Sequence, residues 1–156
     1  GQDKDFSDAQ IVKTVRAIQD AGINVIANYM FGLEGDTLES MQRTLDLALE
    51  LRTAWVNMYP TMVYPGSRLY ADAIKAGRPV PEGWAAYAPL GYECVPFAPD
   101  GLTPAEVLRF RDMAFLRYFG DPEYLAMIQG KFGQAAVADI LEMVAAGPPK
   151  RKILGH

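Results

Sequence analysis

The residues in this chain that could do chemistry are carboxamides set in apolar runs and glycines set at a turn. Asn28 lies inside the apolar run of residues 23–31, and Asn57 inside residues 55–59. A buried amide must be hydrogen-bonded, so each either satisfies neighbouring backbone or faces a ligand, and both readings stay open. Gly32-Leu33-Glu34-Gly35 follows the first run and leads into a helix start. Helix N-termini offer free N–H groups and a positive dipole end, so this turn could cradle an anion. It is no Walker loop, because Gly-Lys-Ser/Thr is missing and the spacing differs; a plain tight turn accounts for the same glycines. Glu34 and Asp36 bring two carboxylates to one strand end, Asp36 as a helix cap and Glu34 as a solvated loop residue. Tyr64-Pro65-Gly66-Ser67 is a turn with an aromatic at its mouth, which reads either as a turn alone or as a substrate lip. Cys94 is the single cysteine, which rules out an internal disulfide framework and, by itself, a thiolate metal site. No neighbour in sequence would lower its pKa, so it reads as inert. His156 ends the chain and suggests no catalytic role. No triad, complete metal site or complete phosphate loop can be assembled from these residues.

The elements that must position them read as α/β. Residues 23–31 and 55–59 are strands of the type buried on both faces of a parallel sheet. Between them Asp36-Thr37-Leu38-Glu39 reads as a capping box. Leu38, Met41, Leu45, Ala48 and Leu51 or Arg52 then form a helical stripe. A strand–helix–strand unit with so short a return pairs its strands in parallel, and ligands in such sheets sit beyond the carboxyl ends of the strands. Ahead of the first strand, Ser7 and Gln10 cap a helix that stops at Gly22. After the second, Ser67 caps a helix ended by Gly77. Residues 78–101 carry Pro, Gly and the aromatics Trp84, Tyr87, Tyr92 and Phe97 without a period, and read as an ordered crossing loop. Thr103-Pro104-Ala105-Glu106 opens a helix, Asp121-Pro122-Glu123 a short one to Met127 or Ile128, and a last helix runs from about Gln134 to Ala146. Residues 1–77 are therefore α/β, and residues 78–156 a loop and helical extension.

Composition narrows the function further. A net charge of −4 over 156 residues argues against a nucleic-acid partner. The one basic cluster, Lys150-Arg151-Lys152, reads as a solvated tail. With no stretch that spans a bilayer and no signal peptide, the expected location is the cytoplasm.

Three stretches also carry a family resemblance: Ala21-Gly22-Ile23-Asn24-Val25, Met30-Phe31-Gly32-Leu33-Glu34-Gly35-Asp36-Thr37, and Tyr64-Pro65-Gly66-Ser67-Arg68-Leu69-Tyr70. Together they resemble the second half of a radical S-adenosylmethionine enzyme barrel, in the cobalamin-binding-domain subgroup that includes the anaerobic magnesium-protoporphyrin monomethyl ester cyclase type. The likeness covers residues 8–77; the chain departs at Glu34, where Pro is usual, at Ser67 for Thr, and at Asn28 for Gly. The resemblance implies a partial TIM-like β/α barrel with a helical extension, forming the C-terminal portion of an oxidoreductase or methyltransferase. It implies that Asn28, Met30 and Gly32 lie against the adenine of S-adenosylmethionine. It implies further that Asn57, Tyr59 and Thr61 supply backbone groups to the adenine edge, and that Tyr64, Trp84 and Tyr87 close over a small-molecule substrate. The whole enzyme would use a 4Fe-4S cluster to cleave the cofactor to a 5′-deoxyadenosyl radical, with cobalamin as the subgroup's further cofactor. The cluster's Cys-x₃-Cys-x₂-Cys loop is not in this chain, so by itself it is expected to be inactive and to carry none of these groups already bound. The rival expectation is a non-catalytic α/β binding or assembly module whose Gly32–Gly35 turn holds a phosphate. Cut from a barrel, Val25, Ala27, Tyr29 and Met58 would face outward uncovered, and the chain is expected to form a symmetric homodimer.

Overall fold

Strands β1 (Ile26–Phe31) and β2 (Trp55–Pro60) lie side by side in a two-stranded parallel sheet, joined by helix α2 (Leu38–Leu51). The computed structural model describes residues 6–155. Helix α1 (Asp8–Asp20) precedes β1; α3 (Arg68–Lys75), a 3₁₀ turn at Trp84–Tyr87, α4 (Pro104–Phe119), α5 (Pro122–Phe132), α6 (Gln134–Ala146) and a 3₁₀ turn at Lys152–Leu154 follow β2. The fold is α/β, as the sequence implies. The register places Asn28 opposite Asn57, and Met30 opposite Tyr59.

Local sequence sets most helix starts. Ser7 with Gln10 and Thr103 with Glu106 form complete capping boxes, and Ser67 and Asp121 cap α3 and α5. At α2 the box is Thr37 with Ser40 rather than Asp36 with Glu39. The Asp36 carboxylate is drawn instead to the Leu33 N–H at 2.8 Å and the Ser40 hydroxyl at 2.6 Å. β1 begins three residues later than the apolar run. Gly22 and Ile23 still close α1, their N–H groups donating to Gln19 and Ile18, and a Schellman ending of this kind consumes the residues that follow the helix. α5 continues past Ile128 to Phe132, where Gly133 at φ +85° breaks it from α6.

Only one face of the sheet is covered, contrary to the expectation of strands buried on both. Ala27, Tyr29, Phe31, Val56 and Met58 pack into a core with Met41 and Leu45 of α2, Ala114 and Tyr118 of α4, and Tyr124, Ile128 and Ile140 beyond. The helical extension thus shares a core with the βαβ unit. Ala27, Tyr29 and Met58, expected to be bare, form the covered face, because α4 lies over them. The opposite face carries Ile26, Asn28 and Met30 of β1 and Trp55, Asn57 and Tyr59 of β2, all more accessible than their neighbours.

Helices α4 and α5 also serve the backbone of β2 and of the short return that leads into it. Arg111 donates its Nε–H to the Met58 carbonyl at 2.7 Å, Tyr118 its hydroxyl to Thr53 at 2.8 Å, and Tyr124 its hydroxyl to Ala54 at 3.2 Å. Each is a carbonyl that a further strand or water would otherwise satisfy. Burial in this layer pushes Tyr29 and Tyr124 up to about 12, and Tyr118 further in the same direction. These phenols hold their protons in the folded chain above the pH at which the unfolded chain releases them. Their contribution is therefore complete below pH 10 or so and is lost as pH rises toward 12. Urea unfolding at pH 9 and pH 11 should show a smaller loss of stability for Tyr29→Phe than for the parent; an equal loss would remove Tyr29 from the linkage.

Candidate functional site

The open sheet face and the loops beyond the strand ends meet at a cleft of about 290 Å³ lined by Met30, Tyr59, Pro60, Met62, Tyr64 and Pro89. It lies at the carboxyl ends of two parallel strands, where crossover topology leaves a crevice. Its floor continues along the sheet. Met30 is 45% exposed and Tyr59 36%, an apolar pair held side by side by the register. One pair nearer the strand starts, Asn57 Nδ2 donates to Asn28 Oδ1 at 2.9 Å. Of the two readings of these amides, mutual satisfaction across the strands accounts for a single hydrogen bond. Whichever way round the two groups are assigned, one whole NH₂ group and one whole carbonyl oxygen remain for something on the open face.

The turn after β1 is shaped by packing. Gly32 has φ +79°, and a Cβ there would sit 2.8 Å from a Val107 methyl and 3.3 Å from the Phe97 carbonyl oxygen. Only glycine allows α4 and the crossing loop to come so close to the strand end. Thr61 is buried, its N–H and hydroxyl both donating to Phe31 O at 2.8 and 3.0 Å, while its carbonyl accepts from Phe97 at 2.8 Å. It fixes the strand end behind the cleft and presents no free polar group to it. Gly35, also at positive φ, has open space around it.

The aromatics divide. Tyr64 lines the cleft and stacks on Tyr87, ring centroids 6.3 Å apart and planes 26° apart. Tyr87 is buried and donates its hydroxyl to Pro81 at 2.8 Å. Trp84 tilts against Tyr87 at 6.0 Å yet is 80% exposed, so the crossing loop does not shelter all of its aromatics as expected. Tyr64 and Tyr87 belong to the rim; Trp84 stands beyond it, outside the cleft lining.

The residues behind the cleft were not apparent from sequence. Arg151, in the basic run read as a solvated tail, is 0% exposed. It sits with Arg111 and Asp112, both buried, close to Cys94. Burial pushes the Cys94 thiol up, against the pull of the two arginines. Met62 and Pro89 complete the wall; Met62 was readable only as part of the strand's exit, and nothing marked Pro89.

Among the described residues no group of His, Cys, Asp and Glu could hold a metal ion. A single buried thiol held in its neutral form does not fit a 4Fe-4S cluster, which takes several thiolates. The adenosine part of S-adenosylmethionine is a different case: a flat apolar shelf beside one free donor and one free acceptor suits an adenine ring and its edge. No helix is long and apolar enough to cross a membrane among the described residues.

These features define a class: an α/β protein with a cleft at the carboxyl ends of two parallel strands. No protein-family model matches the chain, and no curated protein matches it.

Gly32→Ala forces a side chain into the left-handed region and against Val107, a loss of about 2–3 kcal/mol. Adding Val107→Ala should recover the steric part only. Denaturant midpoints of the single and double variants check this; full recovery would show that the backbone conformation imposes no strain.

Proposed function

We propose that this chain is the C-terminal part of a radical S-adenosylmethionine enzyme, an oxidoreductase or methyltransferase, and that its open sheet face holds the cofactor's adenosine. The observation that carries the proposal is the alignment of Asn28, Met30, Asn57 and Tyr59 on the uncovered face, at the strand ends. These are positions that the family resemblance assigns to the adenine, and the sheet presents them together.

What these residues do follows from their chemistry. Met30 and Tyr59 offer polarizable, apolar surface to a flat base. The amide donor and acceptor left over from the Asn28–Asn57 pair match an edge that itself both donates and accepts. Tyr64, braced by Tyr87, bounds the cleft on the side where a small-molecule substrate would enter. S-adenosylmethionine, when bound, supplies a reactive adenosyl group; the chain's own part is to bind and orient it. The cluster, and cobalamin where it is used, would be held by residues outside this chain.

A phosphate at the Gly32–Gly35 turn is less favoured. The Asp36 carboxylate already occupies the Leu33 N–H, Thr37 and Ser40 cap each other, and Glu34 and Glu39 add negative charge. An anion would meet repulsion and compete for donors that are in part already taken.

The coding region ahead of this segment tests the proposal: a Cys-x₃-Cys-x₂-Cys motif is expected there, and a frame without one sinks it. In the whole enzyme, Met30→Asp should weaken S-adenosylmethionine binding at least about tenfold, since a carboxylate would be desolvated against the base. Calorimetric titration reads this, and unchanged affinity would take Met30 out of the site. Alone, the chain leaves the outer edge of β1 without a strand partner, and the open face adds Ile26, Met30 and Trp55. A second copy is proposed to cover both, giving a homodimer. Light scattering over a concentration series should report twice the chain mass; a monomer at high concentration would contradict the pairing.

A further inference from the structure

The wall of the cleft is held from behind by a segment that the sequence presents as a charged tail. One terminal nitrogen of Arg151 donates to the carbonyls of Pro89 at 2.9 Å and Gly91 at 3.0 Å. Its other terminal nitrogen lies 3.7 Å from the Asp112 carboxylate on α4, and the same carboxylate oxygen takes Arg111 at 2.9 Å. Next to it, Lys152 donates its N–H to the Tyr92 carbonyl at 2.9 Å. Ile153 and Leu154 pack on Met62, Cys94 and Leu108. Met62 and Pro89 are two of the residues lining the cleft.

This is a demanding way to fill space. Two guanidinium groups share one carboxylate in the interior, and Nε and the second terminal nitrogen of Arg151 have no hydrogen-bond partner. An apolar side chain of similar volume would often serve packing as well or better. What it could not do is tie the carbonyls of residues 89 and 91 to α4 through one planar, charged fork.

We propose that Arg151 is a positioning residue of the candidate site. Residues 149–155 form a strap that fixes Pro89 and Met62 in the cleft wall. The effect on ligand binding rests on the reading of the cleft given above; the strap itself can be followed without any ligand. Cys94 is the single thiol of the chain and is wholly buried beneath the strap, so a thiol reagent reaches it only when the strap lifts.

The experiment compares the rate at which a disulfide reagent, dithionitrobenzoate, modifies Cys94 in the parent, R151K and R151M, each first shown to be folded by circular dichroism. R151M should react at least about tenfold faster, as expected for losing charge-assisted bonds at a local opening. R151K should fall between the two, because an ammonium keeps the charge but lacks the planar fork that faces both carbonyls and Asp112 at once. R151M reacting as slowly as the parent would mean that packing alone holds the wall, and would overturn the proposal. Should R151M not fold, amide exchange in the parent decides. Lys152 N–H and Cys94 should open together, well before global unfolding; Cys94 reacting only on global unfolding would equally overturn it. Titration with 5′-deoxyadenosine separates the two readings: binding weakened most in R151M and less in R151K supports both. A parent that binds no nucleoside, with the thiol rates as expected, leaves the strap standing and counts against the adenosine reading.

Discussion

The backbone of β2 cannot go unsatisfied, and much of the molecule is arranged around that requirement. A strand flanked on one side only must find partners for the carbonyls on its other side. Here that partner is a side chain, Arg111 at Met58, while Tyr118 and Tyr124 take the Thr53 and Ala54 carbonyls of the return just ahead of the strand. Because all three come from α4 and α5, they fasten the helical half of the chain against one side of the sheet. The apolar residues of the same helices, Ala114, Phe119 and Ile128, then bury the face that carries Ala27, Tyr29, Val56 and Met58. One edge and one face are closed by the same helices.

The other face is open as a consequence. Side chains alternate across a strand, so committing Ala27, Tyr29 and Met58 to the core turns Asn28, Met30, Asn57 and Tyr59 outward together. The register brings them into two facing pairs, one polar and one apolar. At the strand ends the close contact of Gly32 with Val107, and the bonds from Thr61 to Phe31 and from Phe97 to Thr61, bring the crossing loop down to form the wall. The cleft is where the uncovered face meets this loop.

Much of this was legible in the sequence, and the limits have physical causes. Helix starts were, because a cap and its partner lie within three residues of each other. α2 shows the weak point: Asp36 and Thr37 can both cap, and the choice turned on Asp36 finding the Leu33 N–H. The two strands and their parallel pairing were legible from the brevity of the return. Which sheet face is covered was not, because Ile26, Ala27, Tyr29 and Met30 are apolar on both sides. A clue was present all the same, since Asn28 and Asn57 occupy the same parity once the strands are aligned. Arg111 and Arg151 were out of reach: their partners are carbonyls dozens of residues away, and nothing local marks a carbonyl that awaits a donor. A Lys-Arg-Lys run beside prolines has the composition of a solvated end, whereas its middle residue is the most buried cation in the described chain.

The central claim is that the uncovered face, with its amide pair and apolar shelf, receives the adenosine of S-adenosylmethionine. Side-chain resonances of the labelled chain, followed while 5′-deoxyadenosine is added, test this most directly. The account predicts that the Asn28 and Asn57 amide signals and the Met30 methyl shift together and saturate together, while the backbone signals of residues 33–40 stay in place. Shifts centred on that turn, with Asn28, Met30 and Asn57 unmoved, would contradict it.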